Sequence, residues 1–492
     1  MKALVIGTGI AGLSTALRLL RRGYEVEMVE QFSQPGGRLN QVRKDGFLFD
    51  MGPSFYSMSY EFDELARDAE IELPFSYTKL DPLYTVWYDT PGKKFTIYRD
   101  LEKLAHEFRD YEPGFAGKME RYLASAGGLY DDVAGRVMKK NFNSLAGYVG
   151  NMLQVPPRQL PKLGRNFWQE VSRYFSSDEV REILSLVSFF LGGTPFDTPS
   201  VYTLLSHTEF VHDGYFNVEG GMYKITEGFV RILQEKGVRI SYNTKVTGFQ
   251  SDGKKVTGFT DEEGGVHRAD FFVVNADAAV FRSSVFNRKK YSPERLDRMQ
   301  WTMAPFSIFL GLDTKVPHVD HHNYFLRGNF REYSKKIFRN QVKLDKPYYY
   351  VNVVSRYNDN AAPPGGEAVY ILVPVPDRRF RPDWSDSGEL ATSIIRDLSD
   401  RIGFDLEKHI VSRTILSPVE WERMFSLHRG SGLGLGHRLS QVAWFRPSNR
   451  DEEFQNVFYA GSSTVPGTGV PLAVISSKMV TERIDQTYGS LS

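Results

Sequence analysis

Gly7-Thr8-Gly9-Ile10-Ala11-Gly12 matches the pattern Gly-x-Gly-x-x-Gly, and it lies between an apolar run, Ala3–Ile6, and a helical stretch, Leu13–Arg22. Between a strand and a helix, the first glycine allows a tight turn and the second lets the backbone approach a pyrophosphate, while the third lets helix and strand pack closely. The N–H groups at the start of the helix attract the negative charge of the phosphates. The stretch therefore predicts a dinucleotide-binding turn in an α/β fold.

An acidic residue follows where such a fold contacts a ribose. The predicted second strand, Glu25–Glu30, ends in a carboxylate 18 residues after Gly12. A carboxylate at this point can accept hydrogen bonds from ribose hydroxyl groups. Strand, turn, helix and second strand together form a βαβ unit, which is compatible with both NAD and FAD.

A second glycine-rich loop helps to decide between NAD and FAD. Gln34-Pro35-Gly36-Gly37-Arg38 comes soon after the acidic residue, and Phe49-Asp50-Met51-Gly52-Pro53-Ser54 follows it. A Gly-Gly-Arg loop can fold over a pyrophosphate while the guanidinium group neutralises it. A simple NAD site has no role for such a loop, so the loop favours FAD.

Patterns of the same kind return later in the chain. Near Gly220 a glycine pair precedes a predicted helix, Ile225–Lys236, and a glycine-rich turn, Gly461–Pro471, precedes the predicted helix Ala473–Gln486. The accompanying predicted strands are Arg239–Ser241, Phe271–Val274 and Val457–Tyr459. We therefore predict the α/β class, with a Rossmann-like FAD-binding domain assembled from discontinuous segments, an inserted α+β substrate domain and a helical, membrane-associating part. The predicted FAD-binding segments are 1–70, 206–285 and 441–492; the substrate or membrane-associating segment is 71–205, and the substrate domain is 286–440.

Composition excludes several classes of function. The net charge of +1 gives no overall field that would recruit nucleic acid. The absence of cysteine excludes disulfides, thiolate metal sites, thiol nucleophiles and a cysteine-linked flavin. The first apolar run leads directly into the glycine-rich turn, and the run Ile183–Leu191 is far shorter than the roughly 20 residues that span a bilayer. The chain is therefore expected to be cytoplasmic or to rest on a membrane surface.

Several motifs, taken in order, carry a family resemblance. Gly192-Gly193-Thr194-Pro195 is followed by Val218-Glu219-Gly220-Gly221-Met222, then by Arg446-Pro447 and by the turn Gly461–Pro471. With the Gly-Gly-Arg loop, this order resembles bacterial phytoene-desaturase-type carotenoid desaturases of the GG-doublet flavoprotein superfamily, which also contains amine oxidases and protoporphyrinogen oxidases. The likeness extends along nearly the whole chain and is greatest to hydroxycarotenoid 3,4-desaturases of flavobacterial type.

The resemblance implies where FAD would bind. The adenosine diphosphate half would contact the first turn, the acidic residue and the Gly-Gly-Arg loop, while Val246 and Asn275 would lie on the adenine side. The C-terminal glycines would reach the far phosphate and the flavin ring, and a helix starting near Leu472 would point its N-terminus at the ring. The candidate cofactor residues are Gly7, Gly9, Ala11, Gly12, Glu30, Gly36, Gly37, Arg38, Gly52, Pro53, Ser54, Val246, Asn275, Gly461, Gly469, Val470 and Pro471.

Two departures from the family pattern bear on the substrate. Val465 stands where many phytoene desaturases have histidine, and Leu472 stands where they have a small residue; both are expected near the flavin. They favour a later pathway step, the 3,4-desaturation of a 1-hydroxycarotenoid. The alternatives are multi-step phytoene desaturation, carotenoid isomerisation, another flavin oxidase activity, and a carrier that binds carotenoid without turnover.

The implied chemistry needs no catalytic side chain. In the reaction that the resemblance implies, the flavin takes a hydride from a carbon beside the polyene, and loss of a proton from the next carbon completes the double bond. The protein would supply alignment and a dry tunnel. We therefore assign no acid or base residue, and the electrons are expected to pass on to a membrane quinone or to oxygen.

Two further stretches look functional at first sight. His318-Val319-Asp320-His321-His322 lies in a segment that looks polar, and we do not expect it to bind metal. The alternating glycines of Gly430–Gly436 lack a preceding strand and a Gly-Lys-Ser/Thr ending, so a phosphate loop is not expected. They fit a loop that passes close to the substrate channel.

The segment Arg136–Arg173 has the composition of a membrane-docking surface. Basic groups among apolar and Trp side chains suit contact with anionic headgroups. The alternative is an ordinary solvated helix whose aromatic side chains face the core. The segment contains one acidic residue, Glu170, and seven basic residues: Arg136, Lys139, Lys140, Arg158, Lys162, Arg165 and Arg173. The apolar residues between them are Leu153, Val155, Leu160, Leu163, Phe167 and Trp168.

Overall fold

The computed structural model describes residues 1–339, 344 and 346–489. Its strands are β1 (Lys2–Ile6), β2 (Glu25–Val29), β3 (Gln41–Lys44), β4 (Phe47–Asp50), β5 (Tyr56–Ser57), β6 (Tyr77–Lys79), β7 (Tyr84–Trp87), β8 (Lys94–Ile97), β9 (Tyr215–Val218), β10 (Arg239–Ser241), β11 (Val246–Asp252), β12 (Lys255–Asp261), β13 (Val266–His267), β14 (Phe271–Val274), β15 (Ala304–Leu312), β16 (His322–Phe325), β17 (Tyr349–Val353), β18 (Glu367–Val375), β19 (Ile410–Leu416) and β20 (Val457–Tyr459).

The α-helices are α1 (Ile10–Arg21), α2 (Ser59–Ala69), α3 (Leu101–Phe108), α4 (Phe115–Val133), α5 (Leu145–Met152), α6 (Leu160–Leu163), α7 (Phe167–Val171), α8 (Asp178–Ser185), α9 (Val187–Phe190), α10 (Leu204–His207), α11 (Lys224–Glu235), α12 (Ala278–Ser284), α13 (Pro293–Arg298), α14 (Phe330–Arg339), α15 (Ser387–Ile402), α16 (Pro418–Phe425) and α17 (Val470–Tyr488). Of these helices, α3 to α10 follow one another between β8 and β9, and the others lie between strands or follow the last one.

A five-stranded parallel sheet collects strands from distant parts of the chain. Its order is β10-β2-β1-β14-β20, so β1 lies between β2 and β14. The register pairs Ile6 with Val29 on one side and with Val274 on the other. Because parallel strands end at the same edge, the residues after β1, β2, β14 and β20 meet there. The predicted α/β class and the discontinuous nucleotide-binding domain are confirmed.

The two ends of the chain are held together beneath this sheet by helix packing. α1 and α17 lie side by side, and the buried guanidinium of Arg18 in α1 donates to Val474 O of α17 at 3.3 Å. The same group makes an ion pair with Asp68 of α2 at 3.0 Å. A buried charge is stabilised only when it is paired and hydrogen-bonded, and these contacts meet both needs. They fix the helix that carries the C-terminal glycines against the helix that follows the first turn.

A second large sheet has seven strands. Its order is β19-β15-β18-β17-β16-β7-β8, with neighbouring strands antiparallel except β16 and β7. Alternate residues point to opposite faces of a strand. One face therefore presents an aromatic row that includes Phe309, Tyr370 and Tyr350, while the other packs Ile308 and Ile371 in the core beneath α15.

The segment Arg136–Arg173 forms short helical pieces, and its residues divide between surface and core. The Lys162 ammonium is buried and donates to Ser125 O at 2.9 Å, and Val155 and Phe167 are buried as well. The prediction that these three side chains belong to one docking surface is wrong, because each is enclosed by the helices around it. No helix within the described residues combines the length and apolarity that a bilayer span needs.

The histidine-rich stretch lies in the interior of the molecule. His321 and His322 are both buried, and His322 is the first residue of β16, a strand inside the seven-stranded sheet. The polar look of this segment in the sequence therefore gives no indication that these two side chains are interior. Within the described ranges, no three His, Cys, Asp or Glu side chains converge closely enough to hold a metal ion.

Candidate functional site

A long cavity follows the carboxyl edge of the parallel sheet, from the loop before β11 to the start of α17. Leu433, from the glycine-rich loop after α16, and Phe190, at the end of α9, complete its wall at the far end. The cavity brings together most of the residues that the sequence predicts for the cofactor. They are Gly7, Gly9, Ala11, Glu30, Gly36, Gly37, Arg38, Pro53, Val246, Asn275, Gly461, Gly469 and Val470.

The first glycine-rich turn has no room for side chains. A Cβ atom on Gly12 would lie 2.3 Å from Gly7 O, and one on Gly9 would lie 2.8 Å from Asn275 Oδ1. Gly7 itself has φ +99°, a left-handed conformation that favours glycine. Gly12 does not line the cavity; it allows α1 to approach β1, as the motif predicts.

Asn275 packs against the glycines of this turn. Its amide nitrogen donates to Ala460 O at 3.0 Å and so ties the end of β14 to the end of β20. Its Oδ1 is buried and accepts no hydrogen bond within the described part of the chain. A buried oxygen without a donor is uncommon in folded proteins, and here it lies next to an open cavity.

Glu30 has two roles in the geometry. Its Oε2 accepts from Thr8 N at 2.8 Å and from Thr8 Oγ1 at 2.6 Å, while Oε1 accepts from Phe32 N at 3.1 Å. The carboxylate therefore orders the turn and also lines the cavity. The bonds to Thr8 were not foreseen from the sequence.

Arg38 links the Gly-Gly-Arg loop to the C-terminal glycines. Its guanidinium donates to Gly432 O at 3.1 Å and to Ser462 Oγ, and it lines the cavity. Burial lowers the pKa of this group, although Asp277 partly opposes the shift. A guanidinium that faces the cavity attracts a phosphate that enters beside it.

At the other end of the cavity, the C-terminal turn has its own close contacts. Gly461 and Gly469 have φ +120° and +131°, and Gly461 N donates to Ser476 Oγ at 3.1 Å. Helix α17 begins at Val470, three residues before the start of the predicted range Ala473–Gln486 and two before Leu472. Its N-terminus lies at the cavity wall, where the helix dipole stabilises negative charge.

The two departures from the family pattern lie outside this wall. Leu472 is buried against Ile475 and Met479, with Val465 packed beside them, and neither Leu472 nor Val465 is among the cavity-lining residues. Pro471 is buried as well and does not line the cavity. At these positions the side chains contribute to the packing of α17.

Two residues that sequence reasoning did not assign to the site hold the C-terminal turn in place. His437 Nε2 accepts from Thr468 N at 3.2 Å, and its Nδ1 donates to Leu191 O at 3.2 Å. Burial lowers the pKa of His437, so the ring is neutral as this pattern requires. The buried Arg446 guanidinium donates to the backbone oxygens of Leu435, Gly436, Gln441, Ser462 and Thr464.

The loop after β4 joins the cavity to the seven-stranded sheet. Asp50 accepts from Met222 N at 2.8 Å and Tyr223 N at 3.2 Å, and burial raises the pKa of Asp50 to about 6. Tyr370 Oη donates to Met51 O at 3.2 Å and lies 3.6 Å from the position of a Cβ atom on Gly52.

Within this loop, Pro53 lines the cavity, while Ser54 contacts Tyr350. The predicted Gly52 and Ser54 therefore lie on the sheet side of the loop, next to its aromatic face.

The residues present fit a dinucleotide with a phosphate bridge. Glycines leave space at both turns, the guanidinium of Arg38 lines the cavity at the C-terminal turn, and Asn275 Oδ1 is a buried acceptor with no donor among the described residues. The cavity continues past Gly461 to Val470, so it extends beyond the adenosine half of a dinucleotide. This extension is what a bound FAD requires and what a simple NAD turn does not explain.

Comparison with known proteins agrees with this geometry. The family model described as flavin containing amine oxidoreductase matches residues 10–485. A zeta-carotene-forming phytoene desaturase of Myxococcus xanthus is 32% identical, over 98% of this chain and 93% of that protein. A carotenoid 3,4-desaturase of Haloarcula japonica is 29% identical, over 98% of this chain and 97% of that protein.

Solved structures share the fold. An oxidoreductase from Methanosarcina mazei has a TM-score of 0.64 at 17% identity and covers 98% of this chain and 100% of its own. Putrescine oxidase bound to putrescine has a TM-score of 0.63 at 14% identity, with 99% of each chain covered. The predictions of FAD as cofactor, of an oxidoreductase and of a resemblance to carotenoid desaturases are confirmed. The chain belongs to the flavin-containing amine oxidoreductase family.

Proposed function

We propose that this protein is an FAD-dependent carotenoid desaturase, and that its reaction is the 3,4-desaturation of a 1-hydroxycarotenoid. The names of the similar proteins from Myxococcus xanthus and Haloarcula japonica support the substrate class. The order of glycine-rich motifs supports the same class. The observation that carries the substrate class is the apolar wall that Pro53, Phe190, Leu433 and Val470 contribute to the cavity.

The proposed cofactor contacts divide along the cavity. Gly7, Gly9 and Ala11 would contact the pyrophosphate, and Arg38 would neutralise its charge. Glu30 would accept hydrogen bonds from the ribose hydroxyls, and Val246 would contact the adenine. Gly461, Gly469 and Val470 would hold the ring system, and the N-terminus of α17 would stabilise negative charge there. When bound, the flavin accepts a hydride from the substrate carbon.

The side chains at the flavin end align the polyene and keep water out. None of Pro53, Phe190, Leu433 and Val470 carries an ionisable group, so these residues cannot take up the proton that desaturation releases. Apolar walls exclude water and hold one carbon at a fixed position, and such alignment accounts for a large share of many rate accelerations. We assign no acid or base residue.

Anaerobic mixing with carotenoid tests the proposal. We expect the flavin absorbance to bleach while the polyene band shifts to the red, because two electrons leave the substrate as one C=C bond forms. A polyene shift without flavin reduction would indicate an isomerase, and binding without any change would indicate a carrier. Bleaching by an amine but not by a carotenoid would indicate another oxidase. Conversion of phytoene to lycopene by this protein alone would contradict the 3,4-desaturation step.

A membrane-docking surface is part of the proposal, because carotenoids dissolve in bilayers and not in water. On α5 and the turns after it, large apolar side chains face solvent, and Tyr148 of α5 contacts Phe445, which is exposed too. The basic side chains of Arg136 and Lys140 lie beside them and bond Gln154 O and Asn151 Oδ1. We define the docking surface as Arg136, Lys140, Leu145, Val149, Leu153, Leu160 and Phe445.

Apolar side chains flanked by cations are suited to the headgroup region of a bilayer. Arg158 contributes less than its exposure suggests, since it pairs with Asp132 at 2.9 Å, and Arg165 and Arg173 both pair with the buried Glu170. The apolar residues of α5 are therefore the better target for a test. A membrane quinone or oxygen is the proposed electron acceptor.

Replacing Leu145, Val149 and Leu153 together by aspartate is expected to lower partitioning onto anionic vesicles by about 100-fold. Each side chain loses about 1 kcal/mol of apolar transfer, and the added charge repels the headgroups. Flotation at low salt measures the bound fraction. A matched control replaces Val266 and Val411, exposed on β13 and β19, by aspartate and is expected to float normally. Equal flotation of the triple variant and the unmodified protein would contradict this surface.

A further inference from the structure

A polar cluster lies on the sheet face nearest the cavity. His322 and Tyr324 occupy alternate positions of β16 and point to this face, beside Tyr350 of the neighbouring strand β17. His322 is 1% exposed, and both tyrosines are 8% exposed. A hydrocarbon substrate gives no reason to bury polar groups here, since apolar side chains would pack as well at lower cost.

Hydrogen bonds fix the protonation of the imidazole. His322 Nδ1 lies 2.5 Å from Tyr350 Oη and 3.2 Å from Asn352 Nδ2. The Asn352 nitrogen also donates to His321 O at 2.9 Å, so it is a donor and Nδ1 accepts. Burial lowers the pKa of His322 well below its ordinary value, so the ring is neutral and its proton is on Nε2.

Two atoms of the cluster have no hydrogen-bond partner in the part of the chain that the structure describes. His322 Nε2 and Tyr324 Oη are both buried, and neither makes a hydrogen bond within the described residues. Nearby, Tyr84 Oη donates to Glu209 Oε1 at 2.8 Å. Burial raises the pKa of Glu209 to about 8, so this carboxyl is neutral at pH 7. The cluster is thus uncharged, with two unsatisfied groups on one strand.

The cluster is one aromatic ring away from the cavity. Phe55 stacks on the His322 ring at a centroid distance of 3.8 Å and contacts Phe190 at 5.2 Å. Phe190 lines the cavity, and Phe55 follows directly after the cavity loop that contains Pro53. Phe55 is only half-buried, and its ring is the group that a substrate end group would have to displace to reach the imidazole from the cavity.

We infer that His322 Nε2 and Tyr324 Oη form a subsite for a hydroxyl group carried by the end of the polyene substrate. The inference rests on the proposed function. A hydroxyl oxygen accepts the imidazole N–H, and it can exchange a second hydrogen bond with the phenol. A substrate without the hydroxyl leaves both buried groups unpaired. Unpaired buried groups cost free energy, so the protein is expected to discriminate strongly between a hydroxylated carotenoid and the same carotenoid without the hydroxyl.

The test compares kcat/KM for a hydroxylated carotenoid with that for the same polyene lacking the hydroxyl, both presented in vesicles. The unmodified protein is expected to prefer the hydroxylated substrate by about 100-fold, about tenfold from each polar group. Tyr324→Phe removes one oxygen atom and is expected to lower the preference about tenfold, mainly through the hydroxylated substrate. His322→Phe is expected to do the same, and His322→Gln, which keeps an N–H donor, is expected to restore part of the preference.

Tyr291→Phe provides the matched control, because Tyr291 is another buried tyrosine whose hydroxyl bonds Glu452 in a different cluster. It is expected to leave the preference unchanged. Flavin content is measured for every variant, so that a folding defect is recognised. No flavin reduction by either carotenoid would overturn the proposed function together with the subsite. Equal use of both carotenoids by the unmodified protein, or an unchanged preference in flavin-loaded Tyr324→Phe, would overturn the subsite alone.

Discussion

Gly9→Val is expected to yield a colourless protein, with FAD affinity reduced by at least about 100-fold, or about 2.7 kcal/mol. The Cβ atom alone would lie 2.8 Å from Asn275 Oδ1, and the two methyl groups of valine need still more space. They would occupy the cavity side of the turn, where the pyrophosphate is proposed to bind. Flavin absorbance relative to protein absorbance after purification measures the effect.

Gly128→Ala serves as the control for this substitution. Gly128 lies in α4, and a Cβ atom added there meets nothing within 4 Å. Alanine also favours helix over glycine, so this variant is expected to be at least as stable as the unmodified protein and fully yellow. Full flavin occupancy in Gly9→Val would show that the N-terminal turn has been assigned the wrong role.

The turn and its surroundings could be predicted because their signals are local. Gly7, Gly9 and Gly12 have fixed spacing, and Glu30 ends the second strand where the fold requires it. The convergence of Asn275 with these residues follows from the parallel sheet, since strands that end at one edge bring their next residues together. Nothing local indicates that Asn275 leaves one oxygen without a donor, because this depends on packing between residues far apart in sequence.

The burial of charged and polar side chains was the least predictable property. Lys162 looks like a surface cation in the sequence, yet α4 supplies an acceptor, Ser125 O, that allows its burial. His321 and His322 lie in a stretch that looks polar, yet the seven-stranded sheet encloses the four-residue strand that begins with His322. A strand of four residues is too short to show a clear alternation of polar and apolar side chains. Its position is decided by pairing with β17 and β7.

The role of Arg446, at the proposed flavin end of the cavity, was equally hard to predict from the sequence. The pair Arg446-Pro447 is visible in the sequence, but its role appears only when five backbone oxygens are found around one guanidinium. These oxygens belong to two loops, one before Arg446 and one after it, and both contact the cavity through Leu433 and Gly461. Burial lowers the pKa of Arg446 to about 10, so the group is still a cation at pH 7. It therefore fixes the two loops to each other.

Arg446→Met is expected to lower the free energy of unfolding by at least about 4 kcal/mol, because several buried carbonyl groups lose their donors at about 1–3 kcal/mol each. Flavin is expected to be lost with it, since Ser462 and Thr464 follow directly after the proposed contact Gly461. Urea unfolding and flavin fluorescence on dilution measure the two effects.

Arg446→Lys keeps the charge but cannot reach all five oxygens, so an intermediate loss of stability and of flavin is expected. The exposed neighbour Arg450, replaced by methionine, is the control and should retain both stability and flavin. Flavin retention by Arg446→Met at the level of this control would mean that the loops hold their positions without the guanidinium.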